Sequence, residues 1–274
     1  MARVGMVFCD MDGTFLAEDK SIPARNLALL DELAKRHIEF VPCTGRPIVG
    51  VPQQVRSHPA VRYVVGANGA VVVDLRANRN ILSLPLSKDG VIELYRRVGD
   101  LPITFDVFAD DMVYSERARY DSMGSLGIHP ATLKTLRRVR TPIDLSVPQI
   151  VERADMVYKI TCFFGDVGMR DRIERAAAAI GGFSCACGDP SDVELMASGV
   201  SKGSALEWLC EYMNVPIAAS VAFGDEDNDA SMLRAAGDGV AMKNASASVM
   251  DASDHIAPSN DEAGVAQYLS ALLD

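Results

Sequence analysis

Residues 4–9 are a short apolar run that ends abruptly in Asp10-Met11-Asp12-Gly13-Thr14. A β-prone run with no polar face reads as a strand buried on both sides, the kind found in parallel sheets. The two acids then stand at its carboxyl end, the edge of an open α/β sheet where ligands bind. In an extended segment, residues two apart point to the same side, with Cα atoms roughly 6.6 Å apart. Asp10 and Asp12 are therefore expected to project together. At an effective dielectric of roughly 20, like charges about 4 Å apart cost about 4 kcal/mol. Such a pair is sustainable if a cation lies between the acids or if one of them holds a proton.

Strand and helix alternate after this segment. Pro23 opens a helical pattern in which Leu27, Leu30, Leu33, Ala34 and His37 share a face. A strand is expected over 38–43, ending in Thr44-Gly45-Arg46-Pro47, then a helix around 49–56. A third strand over 61–65 ends in Gly66-Ala67-Asn68-Gly69-Ala70, and 71–73 with 81–84 reads as a small hairpin. The rhythm returns late in the chain with a helix over 202–213 and a strand over 219–223 that ends in Gly224-Asp225-Glu226-Asp227-Asn228-Asp229. A short helix over 230–236 is stopped by Gly237. A strand over 239–242 ends in Lys243-Asn244-Ala245, and 255–257 and a helix near 265–273 follow.

Between these blocks the periodicity changes. Residues 103–109 and 112–115 alternate around Asp110-Asp111 as a hairpin does. Segments 132–139 and 169–180 read as helices and 156–164 as a strand. Strands with helices set apart indicate an α+β module, not further βαβ units. The expected architecture is an α/β, Rossmann-like parallel-sheet core made of residues 1–83 and 190–274, with an inserted α+β domain over 84–189.

Charge and composition narrow the function. The net charge of −10 disfavours nucleic acid as a partner through any general basic surface. An acidic chain can still bind an anion, but it then needs local cations such as a metal, a lysine or helix N-termini. No stretch approaches the ~18 apolar residues of a membrane span, and Asp10 breaks the first apolar run too early for a secretory signal. No membrane partner and a cytoplasmic location are expected. The six cysteines show no zinc spacing and read as reduced, structural residues. His37, His58, His129 and His255 are scattered, without a metal or triad pattern.

In a parallel sheet the polar strand ends 10–14, 44–47, 66–70, 224–229 and 243–245 share one edge. Asp225 follows an apolar strand as Asp10 does, and with Asp10 and Asp12 it supplies the hard oxygens that Mg²⁺ prefers. Asn228 and Asp229 open a helix, where short polar side chains cap backbone amides; Glu226 and Asp227 read as solvated acids. Thr44 and Gly45 stand between a strand and a helix, a place for an anion. Lys202 follows Ser201, a helix cap, and so lies in the first turn, where the helix dipole disfavours a cation. A lysine placed against that rule suits a phosphate oxygen or a crowd of carboxylates. In the middle domain, Lys159 lies on an alternating strand and is a candidate for choosing the substrate, but reads more simply as an outward-pointing lysine, and Arg137, Arg138 and Arg140 read as a solvated helix face.

Taken in order, Asp-Met-Asp-Gly-Thr, Thr-Gly-Arg-Pro, Asn-Gly-Ala, Ser-Lys-Gly, Gly-Asp-Glu-Asp-Asn-Asp with Met232 after it, and Met-Lys-Asn-Ala resemble the haloacid dehalogenase superfamily. The resemblance is to its Cof-type, type IIB cap sugar-phosphate phosphatases, spans nearly the whole chain, and places the insertion where that subfamily keeps its cap. Phe15 and Cys43 are minor departures from the family pattern. The resemblance implies an Mg²⁺-dependent phosphatase of small phosphate esters. In it Asp10 is the nucleophile and Asp12 the general acid and base. The metal is held by the Asp10 carboxylate, the Asp12 backbone carbonyl and the Asp225 carboxylate, with Asn228 or Asp229 completing or orienting the shell. Thr44, the Gly45 amide and Lys202 hold the transferring oxygens, and Asn68 lines the pocket. Two rivals use the same chemistry: a hexose phosphomutase, and a phospho-aspartate sensor without enzymatic activity. A sensor needs neither Asp12 nor a large insertion.

Overall fold

The computed structural model describes residues 4–273. It divides into two units: one runs up to Ser83 and resumes at Ser201, and the other spans Leu84–Val200. The first supplies β1 (Met6–Asp10), β2 (Glu39–Cys43), β3 (Tyr63–Gly66), β4 (Val71–Asp74) and β5 (Arg79–Ser83). The second contains β6 (Asp106–Ala109), β7 (Met112–Glu116), β8 (Thr141–Ile143), β9 (Val157–Phe163), β10 (Phe183–Ala186) and β11 (Asp192–Ala197). The chain then returns to the first unit with β12 (Ser220–Gly224), β13 (Asp238–Met242) and β14 (His255–Ala257).

The first unit is one sheet in the order β14-β13-β12-β1-β2-β3-β4-β5. β1 is parallel to β12 on one side and to β2 on the other, with Cys9 opposite Phe223 and Asp10 opposite Cys43. The strand order therefore reverses at β1, the position where α/β sheets open a crevice at their carboxyl edge. Every residue of β1 is buried, as a strand covered on both faces requires. Met6, Phe8, Val41, Val65, Ala222 and Ala241 pack with Leu206, Leu209, Met232 and Leu233 of the helices Lys202–Tyr212 and Ala230–Ala235. The intervening residues Val7, Cys9, Phe40, Val64, Val221 and Phe223 are equally buried. Helix Ala24–Arg36 packs on β2, and helix Gly264–Leu273 on β14. The hairpin β4–β5 continues the sheet antiparallel from β3.

The second unit is a sheet in the order β10-β11-β9-β6-β7-β8, antiparallel except for β7 with β8. Val107, Ile160, Cys162, Val193 and Leu195 form its apolar face, under the helices Lys88–Val98, Val147–Arg153 and Gly168–Ile180. The segment 190–200, expected in the core, belongs to this unit, because β11 is flanked by β10 and β9. Two further expectations change here. Lys159 is not an outward lysine: it is buried and paired with Glu194. Arg140 leaves the solvated helix face, since its Nε donates to Asp106 Oδ2 at 3.0 Å and its guanidinium lies over the Phe163 ring. No helix among the described residues is long and apolar enough to cross a membrane.

Candidate active site

β1 delivers Asp10 to the sheet edge, and the turn after β12 delivers Asp225 and Asp229 to the same place. Carboxylate oxygens of Asp10, Asp225 and Asp229 all lie within 4.8 Å of one another, and all three residues are buried. Lys202 enters from the first turn of its helix, which Ser201 caps by accepting the Ser204 amide at 3.0 Å. Its Nζ donates to Asp10 Oδ1 and Asp229 Oδ1, each at 2.6 Å, and lies 3.4 Å from Asn228 Oδ1. Asp229 Oδ2 in turn accepts the Asp225 and Glu226 amides at 3.0 and 3.1 Å. Thr14 donates to Asp225 Oδ1 at 2.6 Å.

Burial sets the electrostatics. It pushes the Asp10 carboxyl up to about 7, with Lys202 opposing and Asp229 and Asp12 adding to the push. Asp225 is driven up to about 9 by burial, then by Asp10 and Asp229. Burial works against the Lys202 ammonium, but Asp10 and Asp229 outweigh it and hold the amine protonated beyond its ordinary range. Three carboxylates thus face one ammonium where water barely reaches. An all-oxygen, charge-deficient cluster of this kind fits a hard divalent cation.

Gly13 is required by this packing. It adopts φ +80, and a Cβ there would stand 2.1 Å from Asp225 Oδ2. Gly203 is needed for a different reason: a Cβ would meet the Ser231 carbonyl oxygen at 2.4 Å, so glycine lets the two helices behind the site close together.

Asp12 departs from expectation. The strand stops at Asp10 and the chain turns, so Asp12 does not continue the extended segment, although its charge still acts on Asp10. The Phe15 amide reaches back to the Asp10 carbonyl at 3.2 Å, and Leu16 to Met11 at 2.9 Å. The Asp12 carboxylate lies outside the buried trio and pairs with Arg46 at 2.6 Å. Thr44 and Gly45 also differ. No long helix follows them: Pro47 and Pro52 divide the segment into a 3₁₀ turn, Ile48–Gly50, and a four-residue helix, Gln53–Arg56. Thr44 is buried, and its hydroxyl accepts the Arg46 amide at 3.1 Å. Asn68 is buried in a left-handed turn, its amide donating to the Thr44 carbonyl at 3.1 Å.

A family model described as haloacid dehalogenase-like hydrolase matches residues 7–269. The chain belongs to the haloacid dehalogenase-like hydrolases. Among curated members it is 28% identical over 276 residues to the 5-amino-6-(5-phospho-D-ribitylamino)uracil phosphatase YitU of Bacillus subtilis (strain 168), covering 96% of each chain. It is 26% identical over 292 residues to Phosphatase YwpJ of the same organism, covering 98% of this chain and 99% of YwpJ. Among solved structures, the HAD subclass IIB sugar phosphatase BT4131 superposes with a TM-score of 0.83 at 18% identity, over 98% of this chain and 99% of that one, a likeness of fold. Family and full-length relatives together place this hydrolase among the phosphatases.

Three asparagines complete this haloacid dehalogenase-like site, two of which, Asn26 and Asn260, the sequence did not single out. Asn26 donates to the Phe15 carbonyl at 2.8 Å, Asn260 to Leu16 at 2.9 Å, and Asn244 to Gly13 at 2.8 Å. They satisfy the inward carbonyls of the loop that follows Asp10. Asn244 had a signal, the polar end of β13, whereas Asn26 and Asn260 sit in no pattern a single sequence reveals.

Proposed function

We propose that this phosphatase is Mg²⁺-dependent and hydrolyses small phosphorylated metabolites, sugar phosphates among them, through an aspartyl phosphate. The observation that supports it most is the buried trio of Asp10, Asp225 and Asp229 with Lys202 bridging two of its members. Asp10 attacks phosphorus in line with the leaving group: an oxygen–phosphorus bond forms at its carboxylate as the ester bond breaks. The departing alkoxide takes a proton from Asp12. Asp12, now a base, takes a proton from water as that water attacks phosphorus, which frees inorganic phosphate and restores the Asp10 carboxylate. Lys202, Thr44 and the Gly45 amide hold the transferring oxygens, and Asn68 lines the pocket. Asp10, Asp225 and Asp229 would hold the cation with the Asp12 carbonyl, Asn228 standing beside Lys202; when bound, Mg²⁺ supplies charge neutralisation between nucleophile and phosphate.

The substrate class follows from the acidic, lysine-bearing site and from relatives named for phosphate monoesters of a ribityl compound and of sugars. The test is a panel of sugar phosphates, nucleotides and other phosphorylated metabolites, assayed for phosphate release with Mg²⁺. The wild-type protein is expected to release phosphate, and Asp10→Asn to release none while keeping its circular dichroism spectrum. Substantial turnover by Asp10→Asn would remove Asp10 from the nucleophile's role.

A further inference from the structure

Two cations converge on one oxygen of Asp12. Arg46 Nη2 lies 2.6 Å and Lys20 Nζ 3.0 Å from Oδ1. Oδ2 has no hydrogen-bond or ion-pair partner among the described residues. Arg46 comes from the strand end after β2, whereas Lys20 comes from the same loop as Asp12, which doubles back on itself. The loop is closed by a bridge between Asp12 and Leu16 and by Ala17, whose carbonyl accepts the Lys20 amide at 2.9 Å and whose amide donates to Ser21 at 3.0 Å. Lys20 itself has φ +69, a left-handed conformation in which backbone preference selects Gly, Asn or Asp. A lysine stands there in spite of that preference, and its side chain is spent on Asp12.

We propose that Lys20 is a positioning residue: with Arg46 it holds Asp12 by Oδ1 and so presents Oδ2 as the oxygen that gives a proton to the leaving group and later takes one from water. The inference rests on the acid–base role proposed above for Asp12. The pair is partly exposed, with the Lys20 side chain 45% accessible. Such a pair adds little to stability, so its effect belongs in the rate and not in the fold.

The leaving group separates positioning from mere structure. An alkoxide needs a proton as it departs, whereas p-nitrophenolate leaves without one. General acid catalysis contributes roughly 10²–10⁴-fold, so loss of one of two anchors is expected to slow leaving-group departure about tenfold. The experiment compares Lys20→Met and Lys20→Arg with wild type on p-nitrophenyl phosphate and on the best sugar phosphate of the panel, by kcat/KM, which reports only the steps up to departure of the leaving group and not the water attack common to both esters. Lys20→Met should lose roughly tenfold in kcat/KM on the sugar phosphate and several-fold less on the aryl ester. Lys20→Arg should recover most of the loss. An equal loss in kcat/KM on both esters, or no change, would overturn the positioning role while leaving the phosphatase intact. Absence of phosphate release by the wild-type protein from every ester would overturn the phosphatase reading, and this inference with it.

Discussion

Lys202→Met tests whether the site is held together by charge. The ammonium is fully buried and bridges two buried carboxylates at 2.6 Å each. Removing one partner of a buried pair costs about 3–5 kcal/mol, because the charge left behind has neither counter-ion nor water. The metal-free protein, in EDTA at pH 8, should therefore lose about 3–5 kcal/mol in urea unfolding, a large share of the ~5–15 kcal/mol that holds a typical domain. The pH dependence fixes the sign. Burial pushes the Asp10 carboxyl up to about 7 in the fold, above its ordinary value of about 3.8, so its neutral form is the one the fold prefers. Stability is fully present below the unfolded value and falls as the pH rises through that window. At pH 5 Asp10 is mostly neutral and needs no counter-charge. The deficit of Lys202→Met should therefore be smaller at pH 5 and grow through pH 7. Equal stability of variant and wild type at pH 8, or a deficit that shrinks as the pH rises, would refute the reasoning.

Three other outcomes are expected. Gly13→Ala puts a methyl group 2.1 Å from Asp225 Oδ2 at φ +80; left-handed strain of about 1–2 kcal/mol and a displaced carboxylate should lower phosphate release about 100-fold, and wild-type kinetics would contradict the packing. EDTA should silence the enzyme, with Mg²⁺ restoring activity and Ca²⁺, with its looser coordination, failing to do so; equal rates in EDTA would remove the metal from the reaction. Mg²⁺ should raise the unfolding temperature more at pH 8 than at pH 5, because Asp10 at about 7 and Asp225 at about 9 must lose protons to bind it; a shift independent of pH would argue against these ligands.

The core and two of its three clustered acids, Asp10 and Asp225, were legible because each parallel strand is a short apolar block that ends abruptly in polar residues. Asp10 and Asp225 are 215 positions apart, yet the same signal marks both. Lys202 was legible because it breaks the helix-dipole rule. The placement of Asp12 was not, since nothing in Asp-Met-Asp tells a strand end from a turn. The short helix after Thr44 was within reach: Pro47 and Pro52 each forbid continuation of the pattern. In the second unit, β8 is three residues with a proline at its centre, and β11 begins Asp192-Val-Glu194. Those acids look solvated in the sequence and prove buried. Lys159 and Glu194 each resemble a surface charge until folding brings them together across 35 positions.

The three asparagine clasps have a consequence for how the enzyme is made. The loop after Asp10 is synthesised more than two hundred residues before Asn244 and Asn260, which fasten it. A nascent chain therefore carries this loop long before it can hold it in place. The geometry of the site is then completed only late in translation.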